Sequence, residues 1–354
     1  MDHSPRVLIH PAKIIENYRV LQRRCSQAGI ELTAVVKGIA GDRRIIRAFI
    51  DSGVTDLGDS RLENLEFLAS DPRVFLTLLR LPAISGLDRV IRYAKRSLNA
   101  EIDVLRLLNQ RAAAARTTHD VMLMVDLGDL REGVDPADLR HLAEECRTLT
   151  ALRVTGIGTN FSCFAGVPPS KKKLELLVEL GRMLRDEYGF PIQRISGGNS
   201  SSLPLVYDGT MPPGINHLRI GEGILLGKET LYGNRLPDLH PDAFIVEAEV
   251  LQSQIKKNRP EGETGRNAFG KTPVIPEVEA GYRLLLNIGA QDAALNGLMP
   301  LDPGIIVLGG SSDYLVAAST RRVPVGTRLR FIPDYWSLLT IMSTVYIKKE
   351  YFES

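Results

Sequence analysis

Cysteine, net charge and long apolar runs are all scarce in this chain, and each scarcity removes a class of protein. The three cysteines, Cys25, Cys146 and Cys163, are too few and too scattered for a disulfide framework. Their odd number fits a reducing compartment. Lys plus Arg number 44 against 42 Asp plus Glu, a formal charge of +2, and neither sign forms a long block. No nucleic acid or polyanion is therefore expected as a partner, and Lys171-Lys172-Lys173 and Lys256-Lys257 are read as solvated faces. No apolar run approaches the roughly 18 residues of a membrane span, and Met1-Asp2-His3-Ser4-Pro5 lacks the apolar core of a signal peptide. The expectation is a cytoplasmic protein without membrane contact. Neither internal repeats nor low-complexity segments are visible, and no metal site is expected.

What is present is a repeating alternation. In Leu32-Thr33-Ala34-Val35-Val36-Lys37-Gly38 a run of β-branched and small apolar residues stops at a lysine and passes into a glycine-rich turn. Such a run reads as a strand buried on both faces, with Lys37 at its carboxyl end, where a barrel presents its chemistry. Lys37 either snorkels out of the strand end or, if desolvated, offers a nucleophilic amine able to form a Schiff base with an aldehyde. Further strands are expected near 55–58, 74–79, 97–100, 121–125, 153–158, 192–197 and 217–220, with helical stretches such as 102–116, 136–148 and 170–188 between them. Eight strands alternating with helices predict a (β/α)8 barrel, with a doubly wound open sheet as the competing reading. Past Gly233 glycine and proline come more often and the apolar runs shorten. The domains are read as a barrel over 10–233 and a β-rich C-terminal domain over 234–354, joined by an N-terminal strand within 1–9. The 354 residues suffice for a barrel of about 250 residues plus a smaller domain.

Three loops at strand ends carry polar residues suited to chemistry. Ile195-Ser196-Gly197-Gly198-Asn199-Ser200-Ser201-Ser202 could turn backbone and hydroxyl donors on a phosphate. His217-Leu218-Arg219-Ile220-Gly221-Glu222-Gly223 places an arginine in a strand and two glycines just beyond it, and phosphate sites of barrels often use the last two strands. Met124-Val125-Asp126-Leu127-Gly128-Asp129-Leu130-Arg131-Glu132-Gly133 offers Arg131 either as a bidentate carboxylate clamp or as part of a salt-bridged loop.

Taken in order, Val35-Val36-Lys37, Val125-Asp126-Leu127-Gly128 with Arg131, Thr159-Asn160-Phe161, Gly198-Asn199-Ser200, Arg219 with Gly221, and Gly309-Gly310-Ser311-Ser312-Asp313 resemble the motifs of alanine-racemase-type, fold type III pyridoxal-phosphate enzymes. The resemblance spans nearly the whole chain. Leu57-Gly58-Asp59-Ser60-Arg61-Leu62-Glu63-Asn64, Asp126-Leu127-Gly128-Asp129-Leu130-Arg131-Glu132-Gly133 and Asn216-His217-Leu218-Arg219-Ile220-Gly221-Glu222-Gly223 look most like the ornithine-racemase-like branch.

That resemblance implies a pyridoxal-phosphate-dependent racemase of an amino acid, with a basic one such as ornithine or lysine favoured, working as a homodimer with shared active sites. It further implies that Lys37 holds the cofactor and acts as base on one face of Cα. Ser200 and Ser201, with the backbone of Gly221 and Glu222, would hold the phosphate. Asn160 and Asn199 belong to the cofactor site, Arg219 would face the pyridine nitrogen, and Arg131 would sit near the cofactor phenolate or the substrate carboxylate. Racemisation needs a proton donor on each face. The family's second donor is a tyrosine, and in Arg266-Asn267-Ala268-Phe269-Gly270-Lys271-Thr272 its place falls to Phe269, which cannot transfer a proton. Asn160 likewise replaces a stacking histidine, Gly41 a cofactor-loop tyrosine and Met124 a lysine. The second proton is then sought at Cys163, which is otherwise a buried structural thiol, or at Asp313 or Ser312 of a partner subunit. Asp313 could instead read a distal substrate ammonium. His217 is read as a satisfied core histidine. A decarboxylase or aldolase on the same scaffold, or a cofactor-binding protein without turnover, are the alternatives.

Overall fold

A computed structural model describes residues 4–257, 262–267, 269–270, 272, 278 and 281–352. Spatial clustering divides the chain into two compact units, one of Ile15–Lys37 with Gly41–Leu239, the other of Met1–Ile14, Gly38–Ala40 and His240–Ser354. The chain opens with β1 (Arg6–Ile9), a strand of the second unit.

The first unit is a closed barrel of eight parallel strands: β2 (Glu31–Val35), β3 (Asp56–Asp59), β4 (Phe75–Leu78), β5 (Arg96–Asn99), β6 (His119–Met124), β7 (Leu152–Gly158), β8 (Arg194–Ser196) and β9 (His217–Ile220). Closure decides against the open sheet. Strand β9 pairs with β2 in parallel, from Glu31 opposite His217 to Ala34 opposite Ile220. Every strand position from Leu32 to Val35 is buried, as a run without polar alternation requires. The helices between strands are amphipathic. In Arg43–Asp51, Ile45, Ile46, Phe49 and Ile50 are buried, and the Asp42 carboxylate caps the first turn by accepting from the amides of Arg44 and Ile45, both at 3.1 Å. Deleting such a cap costs about 1 kcal/mol.

The second unit is an antiparallel sheet in the order β12-β15-β10-β11-β14-β13. It is built from β10 (Phe244–Ile255), β11 (Tyr282–Leu286), β12 (Leu298–Pro300), β13 (Ile305–Gly310), β14 (Leu315–Ser319) and β15 (Arg328–Pro333). Here β1 pairs antiparallel with β10 and parallel with β16 (Lys348–Tyr351), so the two ends of the chain lie side by side. Arg6 fixes that arrangement electrostatically by pairing with Glu247 at 2.6 Å and Glu350 at 2.9 Å. A helix over Tyr335–Ser343, capped by the Asp334 carboxylate, interrupts an otherwise β-rich segment.

Two histidines inside the barrel are fully enclosed. Burial pushes His119 down to about 4 and His217 well below its ordinary value, the charges of Arg194, Arg219 and Arg96 adding to the effect at His217. In the unfolded chain each titrates near 6.5. The unfolded state then binds protons that the folded state refuses, so stability is full above that value and is lost as pH falls through it. For His119 alone the loss reaches about 3 kcal/mol by pH 4. Urea midpoints at about pH 7.5 and about pH 5 check this. An unchanged midpoint at the lower pH would mean that the rings are not held neutral.

Candidate active site

The barrel brings the carboxyl ends of its strands to one rim, and Lys37 stands there, two residues past the end of β2 and at the start of a single 3-10 turn over Lys37–Ile39. The parallel ladder holds its base in place, with the amide of Val36 donating to the carbonyl of Gly58 at 2.9 Å. Burial lowers Lys37 below its ordinary value, while Cys163, Glu132 and Asp59 favour its charged form and Arg131 opposes it. Those four side chains arrive from β3 and from the loops after β6 and β7.

Asp59, the last residue of β3, is buried, accepting from the amide of Arg61 at 2.8 Å and from Asn64 Nδ2 at 3.0 Å. Burial raises it, and the Lys37 charge is among the influences that pull it back. Nothing in the sequence marks Asp59 apart from its place in the run from Leu57 to Asn64, and only barrel closure reveals its proximity to the amine.

The loop after β6 is shaped by Asp126, whose carboxylate accepts from the amides of Gly128 at 2.8 Å and Leu130 at 3.2 Å. Gly133 closes it at a φ of +130°, and a Cβ there would lie 2.4 Å from the amide nitrogen of Asp126. No other residue fits that turn. The loop delivers Arg131 in a forked ion pair with Glu132. Arg131 thus stands in a salt bridge, with its guanidinium close enough to Lys37 to influence it. Glu132, to which the sequence reading gave no separate role, proves to be the hub. Its Oε1 accepts from Asn160 Nδ2 at 2.6 Å, and Asn160 Oδ1 accepts from Arg219 Nη2 at 2.9 Å. An arginine only donates and a carboxylate only accepts, so the amide of Asn160 has one possible orientation between them.

Arg219 itself is buried in β9. It donates to the carbonyl of Thr159 at 2.6 Å and to Ser196 Oγ. Gly158 makes room for it, since a Cβ there would lie 3.1 Å from Arg219 Nη1. Burial lowers the guanidinium to about 10, still far above neutrality. His217 shares its strand and is bonded at both ring nitrogens, to Thr33 Oγ1 at 2.9 Å and Ser196 Oγ at 2.8 Å. It is a satisfied core histidine.

Cys163 departs from the buried-thiol alternative. The residue is exposed, whereas Cys25 and Cys146 are buried. Its amide donates to Asp129 Oδ2 at 3.0 Å, and Asn199 Nδ2 donates to its sulfur at 3.2 Å. Although the residue as a whole is exposed, desolvation of the sulfur raises the thiol, against the pull of the Arg131 and Lys37 charges.

The serine-rich loop forms a 3-10 turn over Ser200–Ser202, capped by Asn199, whose Oδ1 accepts from the amide of Ser201 at 2.8 Å. Ser200 Oγ accepts from the amide of Gly223 at 3.0 Å, which ties this turn to the short helix Glu222–Leu226 that follows Gly221. Ser201 Oγ is buried and has no hydrogen-bond partner among the described residues. In the second unit, Asp313 is exposed in the turn between β13 and β14 and accepts from Ser312 Oγ at 2.7 Å and Gln291 Nε2 at 3.3 Å. Phe269 is exposed, while its neighbours Ala268 and Lys271 lie outside the described residues.

Fold and site define an α/β-barrel protein with an amine-centred site at the carboxyl ends of its strands and a two-domain architecture. A sequence profile described as "Alanine racemase, N-terminal domain" matches residues 9–228. The chain belongs to the alanine racemase family. It is 35% identical over 350 residues to an ornithine racemase of Acetoanaerobium sticklandii, covering 98% of this chain and 99% of that one. It is also 34% identical over 351 residues to a lysine racemase of Thermotoga maritima, covering 98% of each. Among solved structures, an alanine racemase from Bartonella henselae with covalently bound pyridoxal phosphate superimposes with a TM-score of 0.73 at 17% identity, covering 99% of both chains.

Proposed function

We propose that the chain is a pyridoxal-phosphate-dependent racemase of a basic amino acid, ornithine or lysine. The observation that carries this reading is the setting of Lys37: an amine at a barrel strand end, driven towards its neutral form by burial, with an exposed thiol and a buried carboxylate in its electrostatic reach. Full-length relatives named for ornithine and lysine supply the substrate class. In this reading residues 10–233 form the cofactor domain and 234–354, with 1–9, the β-domain.

The residues present fit the cofactor. The orphaned hydroxyl of Ser201 is a donor awaiting an acceptor, and an unmet buried group of that kind costs about 1–3 kcal/mol unless a ligand or water satisfies it. Ser200, Ser201 and the backbone of Gly221 and Glu222 would hold the phosphate, Asn160 and Asn199 would border the ring, and Lys37 would hold the cofactor covalently. When bound, pyridoxal phosphate supplies an electron-withdrawing ring that makes the Cα proton of an attached amino acid acidic. Arg219 would face the ring nitrogen, where it would donate a hydrogen bond and keep its own proton.

Lys37 takes or returns the proton on one face of Cα, and Cys163 serves the other. Their environments suit a complementary pair: desolvation favours the neutral amine and the protonated thiol alike, so one accepts while the other donates. Arg131, oriented by Glu132, holds the substrate carboxylate. Asp313 accepts the distal ammonium that ornithine and lysine carry and alanine lacks, reaching the site from the second subunit of a homodimer. The protein acts in the cytoplasm.

The test is incubation of the cofactor-loaded protein with single enantiomers of ornithine, lysine, arginine, serine and alanine in D2O, read by chiral chromatography and mass spectrometry. Inversion of ornithine or lysine with one deuterium at Cα and no loss of carbon is expected. Loss of carbon would assign a decarboxylase or aldolase, and cofactor binding without inversion of any of the five would leave a binding protein.

A further inference from the structure

Arg219 is a fully enclosed cation, and a charge so placed needs compensation. One source is plain: Asn160 links it to Glu132. A second runs the other way along the barrel interior. Arg219 Nη1 donates to Ser196 Oγ; Ser196 Oγ is bonded to His217 Nδ1 at 2.8 Å; His217 Nε2 is bonded to Thr33 Oγ1 at 2.9 Å; Thr33 Oγ1 donates to Asp56 Oδ1 at 2.7 Å. Asp56 begins β3, at the opposite end of the barrel from Lys37, and its other oxygen pairs with Arg194 at 2.5 Å. It lines a cleft of about 480 Å³ that opens on that end, together with Glu31, Tyr18 and Arg194.

Direction in this chain of bonds is fixed by its two ends. A guanidinium can only donate, so Ser196 accepts from Arg219; its own proton stays available for His217 Nδ1, which accepts it once Nε2 carries the single proton of the neutral ring. A carboxylate can only accept, so Thr33 donates to Asp56 and its oxygen takes the proton of His217 Nε2–H. The ring is therefore the neutral Nε2–H tautomer, and all four bonds are polarised the same way. Burial, with the charges of Arg194, Arg219 and Arg96, disfavours protonation of the ring, which keeps the relay intact.

We propose that Ser196, His217 and Thr33 are positioning residues that couple Arg219 to Asp56 as a remote counter-charge, holding the ring-facing guanidinium charged and oriented from the far end of the barrel. This rests on the racemase reading for its consequence, though its geometry stands apart from it. Chains of aligned hydrogen bonds strengthen one another in a low-dielectric interior, so the pull of Asp56 is felt at Arg219 without direct contact.

Two measurements on the holoprotein test the relay. Histidine 15N NMR, with His217 assigned by comparison with H217Q, reads the tautomer directly; Nε2–H with an unprotonated Nδ1 is expected, and the Nδ1–H tautomer or an imidazolium would overturn the proposal. Then Thr33→Val keeps the shape of the side chain and removes the hydroxyl, whereas Thr33→Ser keeps the hydroxyl and loses a methyl. Thr33→Val is expected to abolish the tautomer preference and lower kcat about tenfold with KM unchanged, while Thr33→Ser stays within about twofold of the parent; tenfold corresponds to about 1.4 kcal/mol. A role in packing alone would reverse the order of the two variants, and an unaltered tautomer and kcat in Thr33→Val would sink the relay. Should the protein invert no amino acid, the racemase reading fails, and the tautomer in the parent and in Thr33→Val still decides the relay.

Discussion

Lys37→Ala is expected to remove racemisation by about four orders of magnitude or more, because the substitution deletes both the covalent anchor and one of two proton carriers. The loss has a readout that does not depend on turnover. Borohydride treatment of the cofactor-loaded parent protein should add the mass of the reduced cofactor to the peptide containing residue 37, and the alanine variant should gain nothing. Retention of a borohydride-fixed cofactor in the variant would move the anchor to another lysine and end the role assigned to this one. The variant should fold as the parent does. Lys37 is only partly enclosed, and among the described residues its side chain makes no hydrogen bond that the rim depends on.

Replacing Cys163 should produce a different pattern. With serine or alanine at this position, inversion should fall by about 100-fold to 10,000-fold, the range expected for loss of one general acid or base. Exchange of the Cα proton with D2O should survive for the enantiomer that presents it to Lys37 and disappear for the other. That asymmetry is the decisive part of the result. Equal modest losses with both enantiomers would assign Cys163 to structure and pass the second proton to Asp313 or Ser312. Alkylation offers an independent check, since Cys163 is exposed while Cys25 and Cys146 are buried and raised to about 12. Iodoacetamide should label residue 163 first, and bound substrate should slow it.

Much of the barrel was legible because short buried stretches such as β2 and β4 are mostly apolar and alternate with amphipathic helices, a pattern that local sequence carries by itself; β3, β5 and β8 are more polar and were legible chiefly from their place in that alternation. Lys37 and Arg219 stand out in the sequence in a related way, one where an apolar run ends and the other where one is broken. The helix over Tyr335–Ser343 was not, because Trp336, Leu338, Leu339, Ile341 and Met342 leave no polar face to reveal its period. Lys348–Tyr351 gave no strand signal either. It is a polar tetrapeptide that becomes a strand only because β1, more than 300 residues earlier, offers it an edge. The roles of Asp59, Glu132, Ser196 and Thr33 were hidden by the same kind of distance. Each occupies an ordinary-looking position, and meaning comes only when β9 returns to β2 and puts Thr33 opposite Arg219. The sequence leaves Cys163 open between a proton donor and a buried structural thiol, and the exposure that bears on that choice belongs to the folded chain.

Gly158 sets a limit that engineering of this site will meet. A methyl group there would stand 3.1 Å from Arg219 Nη1 and 3.0 Å from Met122 Sδ, so the guanidinium keeps its depth only while that wall of the barrel stays bare. Even the smallest side chain would require the guanidinium or one of the flexible methionines beside it to give by a few tenths of an ångström. A substitution series at this one position is a way to press on a buried positive charge without touching a single polar group.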